Sequence, residues 1–355
     1  MHQILVINPG STSTKVALYG DVIPIWSETI KYDQTDLAEF NQVIDQFPMR
    51  RDDLLKTIHS KELDLSSLSA VVGRGGPFKQ LESGTYSIND CLLNDIRKGN
   101  VQAEHISNIG ALLAHEIAGE AGGIPAFFVD PVSVDEFEPL ARISGLPELE
   151  RKSLLHALNI KATAYKAAKD LGRPLTDLNL IVAHLGGGIS ICPLRKGRIV
   201  DANNANEGGP FSPERVGAIP VSSLAKLCYS NQYTFPEMKK RLVGNGGLIA
   251  HLGTNDSIEI ENRIASGDEK ARLIYEAMGY QIAKEIGAMS TVLNGEVDAI
   301  LITGGLAKSD MLVEWITNRV SFIAPVKLYP GENEMESLAQ GAFRVLNGEE
   351  EAKAY

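Results

Sequence analysis

The chain has 355 residues, a length that favours two domains. Its composition, 44% hydrophobic and 22% charged, is typical of a soluble globular protein. Its formal net charge of −11 argues against nucleic acid as a partner, because nucleic-acid affinity depends on clustered cations that neutralise phosphates. The three cysteines form no C-x-x-C pair, and neither a membrane span nor a signal peptide is recognisable. We therefore expect a cytoplasmic protein without disulfides or structural zinc.

The first predicted elements are two strands joined by a polar turn. Residues 4–7 form a short apolar run, and residues 16–19 alternate like a strand. Glycine in the turn would let the backbone approach a phosphate closely. The polar groups around the turn come from Asn8, Ser11, Ser13 and Lys15. A simple Ser/Thr-rich hairpin is the alternative, and a Walker A loop is excluded because a strand rather than a helix follows.

The next predicted strand ends in a glycine-rich turn that carries an arginine. Apolar spacing predicts helices over residues 36–47 and 52–62, followed by a strand over residues 68–72. The strand runs into Gly73-Arg74-Gly75-Gly76. An arginine between glycines is unhindered and able to approach a ligand, although a solvated arginine in a turn would give the same pattern.

Two histidines and an aspartate follow in the next part of the chain. We predict helices over residues 88–98 and 107–121, with His105 just before the second. The predicted strand 125–129 ends at Asp130, at the carboxyl edge of a sheet where α/β proteins bind ligands. Taken alone, Asp130 would more often form a turn or cap a helix. His156, on a helix predicted over residues 149–171, would more often be structural.

Residues 178–198 repeat the pattern of the opening stretch. An apolar strand carries His184, a turn contains Gly186, Gly187 and Gly188, and a second alternating strand follows. We interpret this repeat as an internal duplication. Two such loops facing each other across a cleft would hold a nucleotide between similar domains, with His184 near the transferring group.

The last third of the chain adds a further glycine-rich turn after a strand. Residues 199–214 are predicted as a loop, followed by helices over 222–230, 235–242, 256–264 and 269–293. Asn255 or Asp256 is a natural N-cap for the third of these helices. The strand 298–302 opens into Gly304-Gly305-Leu306 before a helix near residue 309, an arrangement that can accommodate a nucleotide. A final helix is predicted over residues 337–346.

This ordered set of motifs resembles the acetate kinase family of short-chain carboxylate kinases, and most closely its butyrate kinases. The resemblance covers nearly the whole chain. It implies a duplicated actin-like, ribonuclease H-like α/β fold, with two mixed five-stranded sheets flanked by helices and the active site in the interdomain cleft. We expect an N-terminal domain over residues 1–155, with residues 335–355 packing back on it, and a nucleotide-binding domain over 156–334.

The resemblance also implies a reaction, in which ATP and a carboxylate give ADP and an acyl phosphate in the presence of Mg²⁺. It assigns catalytic roles to Arg74, His184, Asp130, His156 and His105. It assigns nucleotide contacts to Asn8, Ser11, Ser13, Lys15, Gly186, Gly187, Gly188, Asp256, Gly304, Gly305 and Leu306. Asp130 and Glu334 are implied as metal ligands. A homo-oligomer is expected.

The substrate pocket departs from the acetate kinase pattern. Pro220, Val221 and Ser222 stand where acetate kinases carry a second catalytic arginine, which leaves Arg215, beyond Pro213, as the nearby candidate. Gly76 and Leu155 replace a valine and a phenylalanine, so we expect room for butyrate or branched acids of four or five carbons.

Other functions remain open from the sequence. Acetate or propionate could be the substrate. A phosphohydrolase of the same fold would need a group that orients water. A nucleotide-gated chaperone or filament protein would need a peptide-binding region, and no long extra segment suggests one.

Overall fold

The computed structural model describes residues 1–355, and its strands form two separate mixed sheets. The chain divides into two units, residues 1–135 with 333–355 and residues 136–332. The division falls at residue 135, whereas the sequence analysis placed it at residue 155. Glu136 belongs to the second unit because its carboxylate accepts the Ile199 N–H at 2.8 Å and lies 3.8 Å from the buried Lys161 ammonium.

The first unit contains seven strands and five helices. The strands are β1 (Gln3–Pro9), β2 (Ser13–Gly20), β3 (Ile23–Lys31), β4 (Ala70–Arg74), β5 (Thr85–Ser87), β6 (Ala126–Val129) and β12 (Lys353–Ala354). The helices are α1 (Gln34–Leu37), α2 (Phe47–Ser60), α3 (Asp90–Lys98), α4 (Asn108–Glu120) and α13 (Glu334–Leu346).

The second unit contains five strands and eight helices. The strands are β7 (Asn179–Leu185), β8 (Ile189–Arg195), β9 (Arg198–Ile199), β10 (Ala299–Gly304) and β11 (Val326–Pro330). The helices are α5 (Pro139–Arg142), α6 (Ala157–Leu171), α7 (Val221–Cys228), α8 (Phe235–Leu242), α9 (Gly247–Leu252), α10 (Ser257–Ala265), α11 (Glu269–Val292) and α12 (Asp310–Val320). Neither unit contains a helix with the length and apolar character needed to cross a membrane.

The two sheets share one topology. The first has the order β12-β5-β6-β4-β1-β2-β3, and the second has the order β11-β10-β7-β8-β9. In each, an antiparallel hairpin (β1-β2 or β7-β8) is extended by a parallel strand (β4 or β10). The predicted duplicated α/β fold is confirmed. The first sheet has seven strands rather than five, because β5 and β12 add to the β6 edge.

Helices cover both faces of each sheet. In the first unit, Leu54 and Ile58 of α2 and Leu113 and Ile117 of α4 belong to one buried core with sheet residues, while α13 contacts β1, β4 and β6. In the second unit, α11 and α12 build the larger core against β7, β8 and β10, and α6 contacts β7 and β10. This burial supplies most of the driving force for folding.

Several helix predictions were wrong in extent, and two of them failed over long stretches. Residues 36–47 were predicted as one helix but contain only the end of α1 and a short 3-10 turn, and Pro48 lies in the first turn of α2 instead. The helix predicted over residues 149–171 begins only at Ala157. The segment before it is held in place by other contacts, including the bond from the Arg151 N–H to the Arg142 carbonyl.

Candidate active site

Three predicted site residues of the first unit lie at the carboxyl ends of neighbouring parallel strands. β4 pairs in parallel with β1 on one side and with β6 on the other. Asn8 is the penultimate residue of β1, Arg74 ends β4 and Asp130 follows β6. The sheet therefore brings an amide, a guanidinium and a carboxylate to one edge, as expected for a ligand site in an α/β protein.

Arg74 forms an ion pair with Glu334, at the start of α13. The second carboxylate oxygen of Glu334 accepts a hydrogen bond from Asn8 Nδ2 at 2.9 Å. The Arg74 side chain is 24% exposed. The structure thus joins Asn8, Arg74 and Glu334 in one cluster, and Arg74 is not the solvated turn residue of the alternative interpretation.

Asp130 has an unusual backbone and a fixed side chain. Its φ of 38° lies in the left-handed region, which is uncommon for a residue with a side chain although aspartate is enriched there. Oδ1 accepts hydrogen bonds from Ser83 Oγ at 2.6 Å and from the Gly84 N–H at 2.8 Å. The carboxylate is therefore held at the end of β6 by the loop that precedes β5.

His105 lies at the turn before α4. Its Nδ1 is 2.7 Å from Ser107 Oγ and accepts the Ser107 N–H at 3.2 Å, so the neutral ring carries its proton on Nε2. Burial, with a contribution from the charge of Arg74, lowers the pKa of His105. The ring is therefore neutral near pH 7 and presents a donor.

The first turn presents exposed polar groups. Ser11 and the side chain of Lys15 are exposed, and Ser13 is partly exposed. The Gly10 N–H donates to the Ser13 carbonyl at 2.7 Å, which closes the turn. As predicted, β2 continues directly from the turn, so the motif is a strand-turn-strand unit and not a Walker A loop.

Gly76 does not leave the open volume that the sequence suggested. A Cβ at this position would lie 1.8 Å from Asn108 Oδ1 and 2.8 Å from the Asn108 backbone nitrogen. Asn108 is itself buried, and its Nδ2 donates to the Ala103 carbonyl at 3.0 Å. The start of α4 therefore fills the space that a larger residue would occupy.

We expect Gly76→Ala to destabilise the protein by about 1–3 kcal/mol, the usual cost of forcing extra volume into a packed site. Gly119→Ala in α4 is the matched control, because a Cβ there meets nothing within 4 Å, and its stability should equal or slightly exceed the parent's. Urea unfolding of both variants measures the difference. Equal stability of Gly76→Ala and the parent would show that the start of α4 moves aside without cost.

In the second unit, two predicted histidines stack on each other. The His156 and His184 ring centroids are 4.0 Å apart at an interplanar angle of 17°. His156 precedes α6 and its Nδ1 lies 2.9 Å from Ser190 Oγ, while His184 lies near the end of β7.

Asn159, which the sequence analysis missed, fixes the orientation of His184. Its Nδ2 donates to the Glu332 carbonyl at 2.9 Å, so its Oδ1 must be the atom that accepts from His184 Nδ1, at 2.8 Å. The neutral His184 ring therefore has a lone pair on Nε2. The available signal was its position three residues after His156, within the helix predicted over residues 149–171.

The environment of His184 keeps the ring neutral. Burial, then the nearby His156 and Arg215, holds the pKa of His184 well below its ordinary value. Nε2 is buried without a hydrogen-bond partner and lies 3.7 Å from Glu332 Oε1. An anionic group brought to Nε2 would favour the protonated ring.

The glycine turn after β7 is packed against Arg215. A Cβ on Gly188 would lie 2.2 Å from Arg215 Nη1, and Ser212 Oγ donates to the Gly187 carbonyl at 2.6 Å. Pro213, between them, is buried. Arg215 Nη1 also donates to the Ala205 carbonyl at 3.1 Å. Only glycine allows this approach, which puts a guanidinium beside the second turn and close to His184.

The remaining predicted residues of the second unit have structural contacts. Asp256 is exposed and caps α10, since its Oδ1 accepts the Ile258 N–H at 2.9 Å. Gly304 has a φ of 92° and exchanges two backbone hydrogen bonds with Gly331. A 3-10 turn that includes Leu306 follows Gly305, and the N-cap of α12 is Ser309. Leu155 is buried.

Comparison with known proteins gives one family. A family model described as the Acetokinase family matches residues 150–343. Among solved structures, acetate kinase from Porphyromonas gingivalis matches with a TM-score of 0.79 at 18% identity, covering 98% of this chain and 100% of that one. A propionate kinase from Francisella tularensis matches at 0.73 and 21% identity, covering 96% and 99%. Acetate kinase from Entamoeba histolytica matches at 0.75 and 15%, covering 96% and 98%. These likenesses confirm the actin-like α/β fold.

Proposed function

The chain belongs to the acetokinase family, and from this premise we propose that it is a butyrate kinase. At the level of the family it is a short-chain carboxylate kinase. The proposal adds the substrate: the γ-phosphoryl group of ATP passes reversibly to butyrate, or to a branched acid of four or five carbons.

The observation that supports phosphoryl transfer to a carboxylate is the cluster of Asn8, Arg74 and Glu334. A carboxylate substrate is ionised at pH 7, so no base is needed, but two anions must approach each other. Phosphoryl transfer depends mainly on position and on cations around the equatorial oxygens. Arg74, at the end of β4 and partly exposed, supplies such a cation once its carboxylate partner is exchanged for a substrate.

The second unit supplies groups suited to the phosphates of the nucleotide. In the turn of Gly186, Gly187 and Gly188 only Gly187 is exposed, and Arg215 adds a positive charge beside the turn. We assign Arg215 the role of the missing second arginine. His184 reaches the transferring group with Nε2, which must take up a proton before it can donate to a phosphoryl oxygen.

The proposed reaction uses Mg²⁺, and the structure offers two carboxylates that could bind it. No three His, Cys, Asp or Glu side chains of the structure form a metal-binding group. Mg²⁺ commonly takes one or two carboxylates together with substrate phosphates and water. Asp130 and Glu334 would be those carboxylates, and when bound the ion neutralises charge on the phosphates.

The preference for larger acids is supported by Leu155 rather than by Gly76. Leucine is smaller than the phenylalanine of the acetate kinase pattern, whereas the space beside Gly76 is filled by Asn108. Each buried methylene contributes about 0.8 kcal/mol. The expectation that the acid has a longer alkyl chain therefore depends on Leu155.

We expect kcat/KM for butyrate or isobutyrate to exceed that for acetate by about 10-fold or more, since one methylene in a pocket discriminates by about 1–3 kcal/mol. The assay is ATP-dependent hydroxamate formation with hydroxylamine across acids of two to six carbons. Leu155→Phe should shift the preference toward acetate or propionate, and Leu155→Met should not.

Other results of the same assay would select the other functions. Equal loss on all acids in Leu155→Phe would show that the tail points elsewhere. A preference for acetate in the parent would make the chain an acetate kinase. Phosphate release without hydroxamate would indicate a phosphohydrolase.

A further inference from the structure

Arg50 occupies a position where a core residue is expected. The buried residues of α2 are Arg50, Leu54 and Ile58, spaced by four, so the arginine lies on the apolar face of the helix. Its side chain is fully buried. Arginine is almost never fully buried without a carboxylate, yet no ion pair involves Arg50. Its partners must explain its presence.

The guanidinium binds the underside of the first turn. Nη1 donates to the carbonyls of Gly10 at 3.0 Å and Ser13 at 3.1 Å, and Nη2 donates to the carbonyl of Ser11 at 3.0 Å. Nη1 also lies 3.0 Å from Thr14 Oγ1. Nε donates to Gln46 Oε1 at 3.1 Å, one turn earlier on the chain. One fork therefore holds three carbonyls of one loop.

These bonds decide which way the peptide groups of the loop point. The remaining carbonyl, that of Thr12, accepts the Tyr32 N–H at 3.0 Å. Every carbonyl from Gly10 to Ser13 is thus bound on the protein side. In a trans peptide the N–H points opposite to the C=O, so the N–H groups of Ser11 and Thr12 face away from Arg50. Both residues are exposed.

The positive charge of Arg50 and the outward N–H groups both favour an anion at the turn. The guanidinium lies 4.4 Å from the centroid of the Tyr32 ring, and the Tyr32 hydroxyl donates to Thr14 Oγ1 at 3.1 Å. Arginine stays protonated at neutral pH even when buried. In a chain of net charge −11, a cation without a carboxylate partner raises the local potential behind the outward N–H groups.

We propose that Arg50 is a positioning residue for the phosphate loop: it binds the carbonyls of Gly10, Ser11 and Ser13 and so turns the loop amides toward the ligand. It does not contact the substrate. The proposal rests on the proposed function, in which this loop binds the phosphoryl group, and it assigns to Arg50 the preorganisation of that loop.

Arg50→Lys tests the proposal, because lysine keeps the charge but cannot bind three carbonyls in one plane. We expect kcat to fall about 10²-fold, the scale of a small displacement of catalytic groups. The dissociation constant of tripolyphosphate should rise about 10-fold, while KM for the carboxylate stays within about twofold. Arg51→Lys is the matched control, since Arg51 pairs only with Asp52 and Glu116 on the surface, and it should match the parent.

A second variant covers the case in which Arg50→Lys does not fold. Gln46→Leu leaves Arg50 in place but removes the acceptor of its Nε, so the fork is free to rotate. A folded Gln46→Leu protein should lose several-fold in kcat and in tripolyphosphate affinity. Unchanged values in this variant, or in folded Arg50→Lys, would overturn the role.

The result is distinguishable from failure of the proposed function. A parent that binds tripolyphosphate but forms no hydroxamate overturns the kinase assignment, while the affinities of the variants still decide the role of Arg50. A parent that binds no tripolyphosphate overturns the role of Arg50, because the loop would then not be a phosphate site.

Discussion

Replacing Arg74 by alanine is expected to lower kcat about 10³-fold or more, the scale reported for arginines that stabilise phosphoryl-transfer charge. The side chain ends β4 between two glycines and is paired only with Glu334, so no other cation of the cluster replaces it. Its loss removes the charge that offsets repulsion between the carboxylate and the phosphoryl group. The readout is hydroxamate formation at saturating ATP and acid.

The control for this variant is Arg97→Ala, which removes an exposed arginine near the end of α3 and should leave turnover unchanged. Circular dichroism establishes that both proteins are folded. An Arg74→Ala protein that keeps more than about a tenth of parental kcat would exclude a catalytic role. The ion pair with Glu334 would then serve stability alone.

The second large effect is expected for His184→Ala, with a loss of about 10²–10³-fold in kcat, as for removal of one donor to a developing oxyanion. The matched control is His59→Ala, an exposed histidine of α2. Because the ligand-free ring is neutral, nucleotide binding should take up a proton. Calorimetric titration of an ATP analogue in buffers of different ionisation enthalpy measures that uptake, and a heat independent of buffer would contradict it.

The lowered pKa of His184 also predicts how stability changes with pH. The unfolded chain protonates this histidine near pH 6.5, whereas the folded protein does so only at lower pH. The contribution to stability is therefore fully present above pH 6.5 and decreases as the pH falls below it, since the unfolded state then binds more protons. The ligand-free melting temperature should fall on acidification, less steeply in His184→Ala.

Local sequence patterns predicted the helices and strands whose ends or repeats are visible in the sequence itself. α8, Phe235–Leu242, was predicted to the residue, and α10 begins after Asp256, one of its two predicted caps. The repeat of strand, glycine turn and strand predicted the shared topology of the two sheets. The β5-β12 pairing was missed because it joins residues that are distant in sequence, in strands of only three and two residues.

Site residues were harder to predict where their role depends on packing. The Gly73-Arg74 turn indicated an accessible arginine, but its pairing with Glu334 joins residues far apart in the chain. The stacking of His156 on His184 depends on how α6 lies against β7. Arg50 was missed because it fell between the two predicted helices, residues 36–47 and 52–62, whereas it lies within α2. No local sequence signal indicates that its guanidinium donates to three carbonyls of the first turn.

We expect the ion pair between Arg74 and Glu334 to keep small anions such as chloride out of the proposed site. A bare guanidinium at a sheet edge would be occupied by whichever small anion is most abundant. Glu334 is an internal competitor that is always present at the same effective concentration, so chloride must displace it and leave it unpaired. A nucleotide that arrives with a divalent cation offers a partner to each member of the pair at once. The rate should therefore change little as sodium chloride is added. It should fall only at concentrations where screening weakens the binding of the nucleotide itself.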